Sequence, residues 1–364
     1  MSSPLMTHHK FIFSLLAVGL IIITFVHCPA QETRTLRIAE LNCENLFDTI
    51  HDEGFDDHDF LPTSQRKWNT SRYRNKINRI AKELMSLSPT LPPKLIALVE
   101  VENDSVLRDI TRRTPLRSLG YKYFITNSND HRGIDVALLY MDTGFKPIAH
   151  HSLCWSTRLG TGRPTRDMLH IEGIISNGDT LHVMVCHAPS KLGGKKALRL
   201  RSTIAKATRA YIDSIISATP TANIIILGDF NDTPNSPTIT RDLGALTSFP
   251  APPTPLHTIS PRSLYNLAAH PHAQKHIGGT YRYRGNWEML DHCIVSGHLL
   301  ATESTLHVAK SALSIIAHPF LLSGDKSHDG VMPFRTYRGP IYQGGFSDHL
   351  PILIDLEYTL PATQ

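Results

Sequence analysis

Apolar residues along this chain recur in two rhythms. Short runs rich in Val, Ile, Leu and Tyr, many bounded by turn residues, predict strands at 36–41, 95–99, 121–126, 134–140, 168–175, 181–186, 223–227, 289–295 and 351–358. Helical spacing marks three other segments. Residues 71–87 set Ile77, Ile80, Ala81 and Leu84 on one face. Asp104 is placed to cap a second helix that runs to about residue 119. The third, 195–216, repeats apolar positions opposite many Lys and Arg. Strands and helices interleave throughout, which predicts α/β layers. There is no linker and no fixed-period repeat, and the proline-rich 250–261 reads as a surface loop. Residues 31–364 therefore read as one domain.

The first thirty residues differ in kind. His8, His9 and Lys10 precede an apolar stretch, 11–26, that as a helix reaches about 24 Å, short of the roughly 30 Å hydrocarbon core. Cys28-Pro29-Ala30 follows, with a small residue where a signal peptidase would cut. Residues 1–30 are expected to be a cleaved signal peptide that sends the chain to the periplasm or outside the cell. The alternative is an uncleaved anchor. No later stretch approaches 18 apolar residues, so no stable membrane insertion is expected once the leader is gone.

Composition narrows the classes. The chain has 364 residues, of which 41% are hydrophobic and 19% charged, the balance of a folded globule rather than a disordered chain. Five cysteines exclude a disulfide-built scaffold, and without a CxxC pair a structural zinc site of that type is not expected. Cys43, Cys186 and Cys293 lie in strand-like runs and read as small buried hydrophobes. The net charge of +5 drops to +4 when the leader removes Lys10, too little to name nucleic acid as the partner. The loop 48–59 (DTIHDEGFDDHD) crowds acids and two histidines but lacks the glycine-centred calcium pattern, and it reads as a solvated loop.

Candidate chemistry sits where apolar strands end. GDFN follows strand 223–227, and Asp229 and Asn231, two apart, can point to one side of an extended chain. The carboxylate can orient and deprotonate a water, and the carboxamide can hold a phosphate. SDHLP precedes strand 351–358: Asp348 suits a cation, and His349 suits donation to developing negative charge. Asp291 in MLDH can orient the imidazole of His349. Glu100 and Glu102 end strand 95–99, and Asn42 and Glu44 end the first strand. Hard oxygen donors without cysteine favour Mg²⁺ or Mn²⁺.

LNCEN, ALVEVEN, RGIDVALLY, TRD, CHAPSKLGG, LGDFND, MLDHCIVS and FSDHLPI occur in one order over residues 36–358. In this the chain resembles the endonuclease/exonuclease/phosphatase superfamily, which includes pancreatic deoxyribonuclease, abasic-site endonucleases, sphingomyelinases and inositol-phosphate 5-phosphatases. NLFD with the acidic loop and Trp68 looks like a secreted bacterial subgroup. The resemblance implies a four-layer sandwich, two packed mixed β-sheets flanked by helices, with the site at the sheet edges. It implies Glu100 as principal metal ligand, with Asn42, Glu44 and Asp348 near the same ion. Asp229 would handle the water, Asn231 would hold the phosphate, and His349, oriented by Asp291, would bond the non-bridging oxygen. His187 would sit near the phosphate and leaving group, and Arg166 would contact substrate phosphate. Two positions depart from the pattern: Val99 stands where many members have Gln, and Asp135 lies near a family acid that pairs with the site histidine.

The expected activity is divalent-metal-dependent phosphoester hydrolysis on a phosphodiester, DNA or RNA, with no obligate protein partner. Two basic groups would serve nucleic acid if they flank the site: Arg66, Lys67, Arg72, Arg74, Lys76, Arg79 and Lys82, and Lys191, Lys195, Lys196, Arg199, Arg201, Lys206 and Arg209. Their other reading is a solvated helix face. A sphingomyelinase-like or small-molecule phosphoesterase is the alternative, and it predicts an exposed aromatic hairpin around Tyr281, Tyr283 and Trp287. An inositol 5-phosphatase is disfavoured because MLDHCI replaces the WCDRI-type signature. A catalytically inactive phosphate- or metal-binding module is the reading from another class.

Overall fold

The structure is a computed structural model that describes residues 32–160, 165–270 and 277–360. The leader expected at 1–30 lies outside them. One sheet has the spatial order β14 (Leu306–Ile315), β19 (Ile352–Thr359), β1 (Thr33–Leu46), β2 (Leu95–Val101), β4 (Asp135–Tyr140), β3 (Lys122–Ile125). The other has the order β5 (Phe145–Leu153), β6 (Met168–Ile175), β7 (Thr180–His187), β8 (Asn223–Asp229), β13 (Asp291–Ser296), β10 (Leu264–Asn266), β9 (Ala245–Leu246). Three small hairpins decorate them: β11 (Tyr281–Tyr283) with β12 (Asn286–Glu288), β15 (Leu322–Gly324) with β16 (Val331–Pro333), and β17 (Tyr337–Arg338) with β18 (Ile341–Tyr342). The helices are α1 (Thr70–Ser86), α2 (Asp104–Arg113), α3 (Trp155–Arg158) and α4 (Gly194–Ala218).

Alternation along each strand builds the layers. Leu36 and Ile38 of β1 face Val183, Val185 and Leu227 of the other sheet in one core. Ala39 and Leu41 point the other way, against Ile77, Ile80 and Leu84 of α1 and Val106 and Ile110 of α2. Ile224 and Ile226 likewise cover Ile212 and Ile216 of α4. The result is helix, sheet, sheet, helix, as the resemblance implied. Cys43, Cys186 and Cys293 are buried free thiols within these layers. Among the described residues no helix is long and apolar enough to cross a membrane.

Two expectations need correction. The cap of α2 is Asn103, whose side chain accepts from the Val106 amide at 3.1 Å, and Asp104 is the first helical residue. That helix stops at Arg113 because Thr114 precedes Pro115 and is extended, and a 3₁₀ turn, Pro115–Leu119, follows. Strands β5, β10 and β14 carry no clear apolar run and escaped the pattern. β5 and β14 are edge strands, free to hold Pro147 and solvent-facing polar residues.

Candidate active site

β1 and β2 run parallel in one sheet, β7 and β8 run parallel in the other, and the ends of all four open on the same cleft. His187, Asp229 and Asp291 lie side by side across β7, β8 and β13. Backbone irregularity aims several of the polar groups. The β1–β2 ladder slips between Asn42 and Leu46, and Glu44 and Asn45 there take φ of 49° and 50°. The β2–β4 ladder slips around Glu100, whose φ is 61°. Asn231 follows β8 at φ 50°. Left-handed non-glycine residues are uncommon and cost energy, so four of them around one cleft mark a site whose surroundings hold them in place. Gly228 is required for a separate reason: at φ 138° a Cβ would stand 1.9 Å from the Cys186 carbonyl oxygen.

A buried chain of polar contacts fills the cleft. His349 Nδ1 donates to Asp291 Oδ2 at 2.7 Å, which leaves Nε2 facing Asp229 Oδ2 at 3.9 Å. Asn42 Nδ2 donates to the same Asp229 oxygen at 3.2 Å, as does Asn231 Nδ2 at 3.2 Å. The Asn231 amide donates to Asp229 Oδ1 at 2.7 Å. His187 Nε2 stands between Glu100 Oε1 at 3.7 Å and Asp229 Oδ2 at 3.8 Å. The SDH turn is tied to β1, since the Ser347 hydroxyl donates to the Asn42 carbonyl at 2.6 Å.

Burial and neighbouring charge set the protonation states. Burial pushes Asp229 up to about 7, with His349 opposing and Asp291 adding to the rise. Burial by itself would lower His349, but the carboxylates of Asp291, Asp229 and Asp348 outweigh it and hold the ring well above its ordinary value. His187 goes the other way: burial first, then Arg166 and Arg132, push it well down. The cleft thus pairs a charged imidazole, His349, with a neutral one, His187. That arrangement can donate a proton or hydrogen bond on one side and orient a water on the other.

Seven of the residues expected from sequence come together here: Asn42, Glu100, His187, Asp229, Asn231, Asp291 and His349. Glu102 points elsewhere, accepting from the Asp48 amide at 2.6 Å. Arg166 sits at the margin, donating to Asp130 at 3.1 Å and to the Ala188 carbonyl at 2.8 Å, the carbonyl that Asn231 also bonds. Glu44 and Asp348 lie one step behind. Glu44 accepts from the Thr336 and Tyr337 amides at 2.6 and 3.3 Å, with buried Lys76 Nζ at 3.6 Å. Asp348 faces Arg335 at 3.8 Å. Asp135 bonds Thr126 and Ser128, so the partner of the His349 ring is Asp291 and not Asp135.

Sequence reasoning assigns no site role to Arg132 or Arg335, and sets Tyr281 in a hairpin read for lipid contact. Arg132 donates to Asn45 Oδ1 at 2.9 Å and stands 4.0 Å from Glu100. The Tyr281 ring lies tilted against that of His349, centroids 4.9 Å apart, and the Arg335 guanidinium lies 5.9 Å from the Tyr281 ring centre. Arg132 opens the RGIDVALLY run, in the turn just before β4, whereas Arg335 adjoins no quoted motif.

The donors fit a hard divalent cation. Glu100 and Asp229 bring carboxylate oxygens to the cleft around His187 Nε2, while His349, protonated and bonded to Asp291, is not counted as a ligand. Glu100 Oε1 stands outside hydrogen-bonding distance of both His187 and Arg132. Oxygens predominate and no thiol takes part, which suits Mg²⁺ or Mn²⁺ better than a softer ion.

Comparison with known proteins identifies the family. The endonuclease/exonuclease/phosphatase family model matches residues 37–358. An endonuclease/exonuclease/phosphatase family protein from Bacteroides thetaiotaomicron superposes with a TM-score of 0.53 at 13% identity, over 91% of this chain and 100% of that one. Humanized D. rerio TDP2 superposes with a TM-score of 0.51 at 14% identity, over 88% and 98%. D. rerio TDP2 complexed with single-strand DNA product does so with a TM-score of 0.50 at 15% identity, over 88% and 98%. No curated protein matches the sequence. At such identities the structural likeness speaks for the two-sheet sandwich alone, while the family model spans almost every described residue: this chain belongs to the endonuclease/exonuclease/phosphatase family.

Proposed function

We propose that the chain is a Mg²⁺-dependent phosphodiesterase that cleaves nucleic acid, exported by the leader read at 1–30. The observation that carries the reading is the buried Asp229–His349–Asp291 set facing Glu100 and Asn42 across one cleft. Asp229, held by three donated hydrogen bonds, aligns the attacking water and takes its proton. Charged His349 donates from Nε2 to the non-bridging oxygen as negative charge develops, and Asp291 fixes the ring for it. Neutral His187 lies where it can assist departure of the leaving oxygen, and Asn231 and Arg166 hold the phosphate from the Ala188 side. Glu100 and Asn42 would hold the cation, with Asp348 and Glu44 behind. Its contribution is neutralisation of charge on the phosphoryl and leaving oxygens.

Two features favour nucleic acid. Arg132 and Arg166 border the cleft, and Lys195, Lys196 and Arg199 are exposed at the start of α4, which follows the β7 end of the site. Four of the α1 bases are engaged elsewhere. Lys76 is buried on Thr336, and Arg72, Arg79 and Lys82 lie over Tyr342, Phe346 and Phe320. The lipid alternative loses its main support, because Tyr281 packs against His349 and Trp287 packs beside the Phe346 cluster, leaving Tyr283 as the exposed ring of that hairpin.

The test offers the leaderless protein plasmid DNA, RNA, sphingomyelin and a simple diester, each with Mg²⁺ and with EDTA. Metal-dependent nicking of DNA or RNA is expected. Turnover of lipid only would overturn the substrate class, and binding without turnover would overturn the enzyme.

A further inference from the structure

Away from the cleft, β6 and β7 set three further ligand-type side chains on one face of their sheet. His170 and Glu172 are two apart on β6, and His182 of β7 pairs with Glu172. Period-two alternation therefore puts all three on the face that α4 covers. His170 Nε2 and His182 Nδ1 are 3.2 Å apart. Glu172 Oε1 stands 3.9 Å from that same His182 nitrogen, and ligand atoms of all three lie within 4.8 Å of one another. The geometry points to a zinc-class divalent cation site formed by His170, Glu172 and His182, separate from the hydrolytic cleft.

Three arguments carry it. Tetrahedral zinc with bonds of about 2.0–2.1 Å separates neighbouring ligand nitrogens by about 3.3 Å, close to the 3.2 Å found. The two ring nitrogens share a hydrogen bond, but Glu172 Oε1 at 3.9 Å stays outside bonding distance of the same His182 nitrogen, so that oxygen is left for a cation. Finally, the Tyr211 hydroxyl of α4 lies 2.8 Å from His170 Nδ1, the outer partner that fixes a ligating imidazole with its other nitrogen turned inward. His170 is buried, while the side chains of His182 and Glu172 keep 13% and 30% exposure, which leaves an ion a way in. His151, its ring 5.8 Å from that of His170, borders the mouth. Two imidazoles and one carboxylate are a softer set than the oxygens of the cleft, so zinc and Mg²⁺ partition between the two. His182 lies five residues before His187 on β7, about 16 Å along the strand, too far to share an ion.

The test is calorimetric titration of Zn²⁺ into the EDTA-stripped protein with excess Mg²⁺ present, beside Co²⁺ absorption spectra. One equivalent of tight binding and a tetrahedral Co²⁺ spectrum are expected. His182→Ala should remove that equivalent, and Tyr211→Phe should weaken it about 10-fold. A Zn²⁺-dependent rise in Tm should disappear in His182→Ala, whose partly exposed position keeps the fold intact by circular dichroism. Mg²⁺-dependent diester turnover should be the same in His182→Ala and the natural chain. No zinc uptake by the natural chain, or uptake unchanged in both His182→Ala and Glu172→Gln, would overturn the inference.

Discussion

Asp291→Asn removes one charge from the cleft and almost no volume. Asp291 is fully buried and accepts from His349 Nδ1 at 2.7 Å, and the asparagine carbonyl can accept the same bond. What changes is the charge. A hydrogen bond to an ionised partner is worth about 1.5–3 kcal/mol, against about 1 kcal/mol for a neutral one. The loss falls on the protonated ring, the form that stabilises the transition state. A difference of roughly 0.5–2 kcal/mol converts to about 2- to 30-fold in kcat/KM. The pH profile should move as well. His349 owes its raised value to carboxylates that outweigh burial, and Asp291 is the strongest of them. Without that charge the ring loses its proton at lower pH, so the alkaline limb of the profile shifts down. Hydrolysis of bis(p-nitrophenyl) phosphate with Mg²⁺ across pH 6–10 measures both effects. An alkaline limb that stays in place, with kcat/KM within twofold, would refute the electrostatic role of Asp291.

Three further outcomes follow from the same contacts. Asp229→Ala and His349→Ala should each abolish diester turnover while circular dichroism stays native; near-normal turnover in either would sink the assignment of roles. Gly228→Ala forces a Cβ to within 1.9 Å of the Cys186 carbonyl, so denaturant titration should show a loss of about 3 kcal/mol or more, or no folded protein. Burial holds His292 down at about 4, against 6.5 for a free ring. The unfolded chain thus takes up that proton first as pH falls, and stability present above pH 6.5 should be lost toward pH 4 by on the order of 3 kcal/mol. In His292→Gln that acid-side loss should be shallower by a similar amount.

The layered fold was legible because it is written locally. Strands 168–175 and 223–227 announce themselves by apolar runs, and α1 by four apolar residues on one face. Edge strands β5 and β14 stayed hidden because one side of an edge strand owes nothing to the core. Much of the site was legible for a similar reason. Asp229, Asn231, Asp291 and His349 each adjoin a strand end, and strand ends mark where backbone leaves the sheet and polar groups gather. The resemblance favoured Glu100 over Glu102, and tertiary structure shows which of the two faces the cleft. A bulge at φ 61° turns Glu100 into the cleft, whereas Glu102 bonds the Asp48 amide. Structure alone also engaged Glu44 with Thr336 and Tyr337, nearly 300 positions away, and set Arg335 and Tyr281 beside His349. Sequence by itself determined which groups stand at strand ends, because period and composition are local. Which of them share one cleft depends on chain crossings and left-handed bulges, and those are set only when two sheets pack.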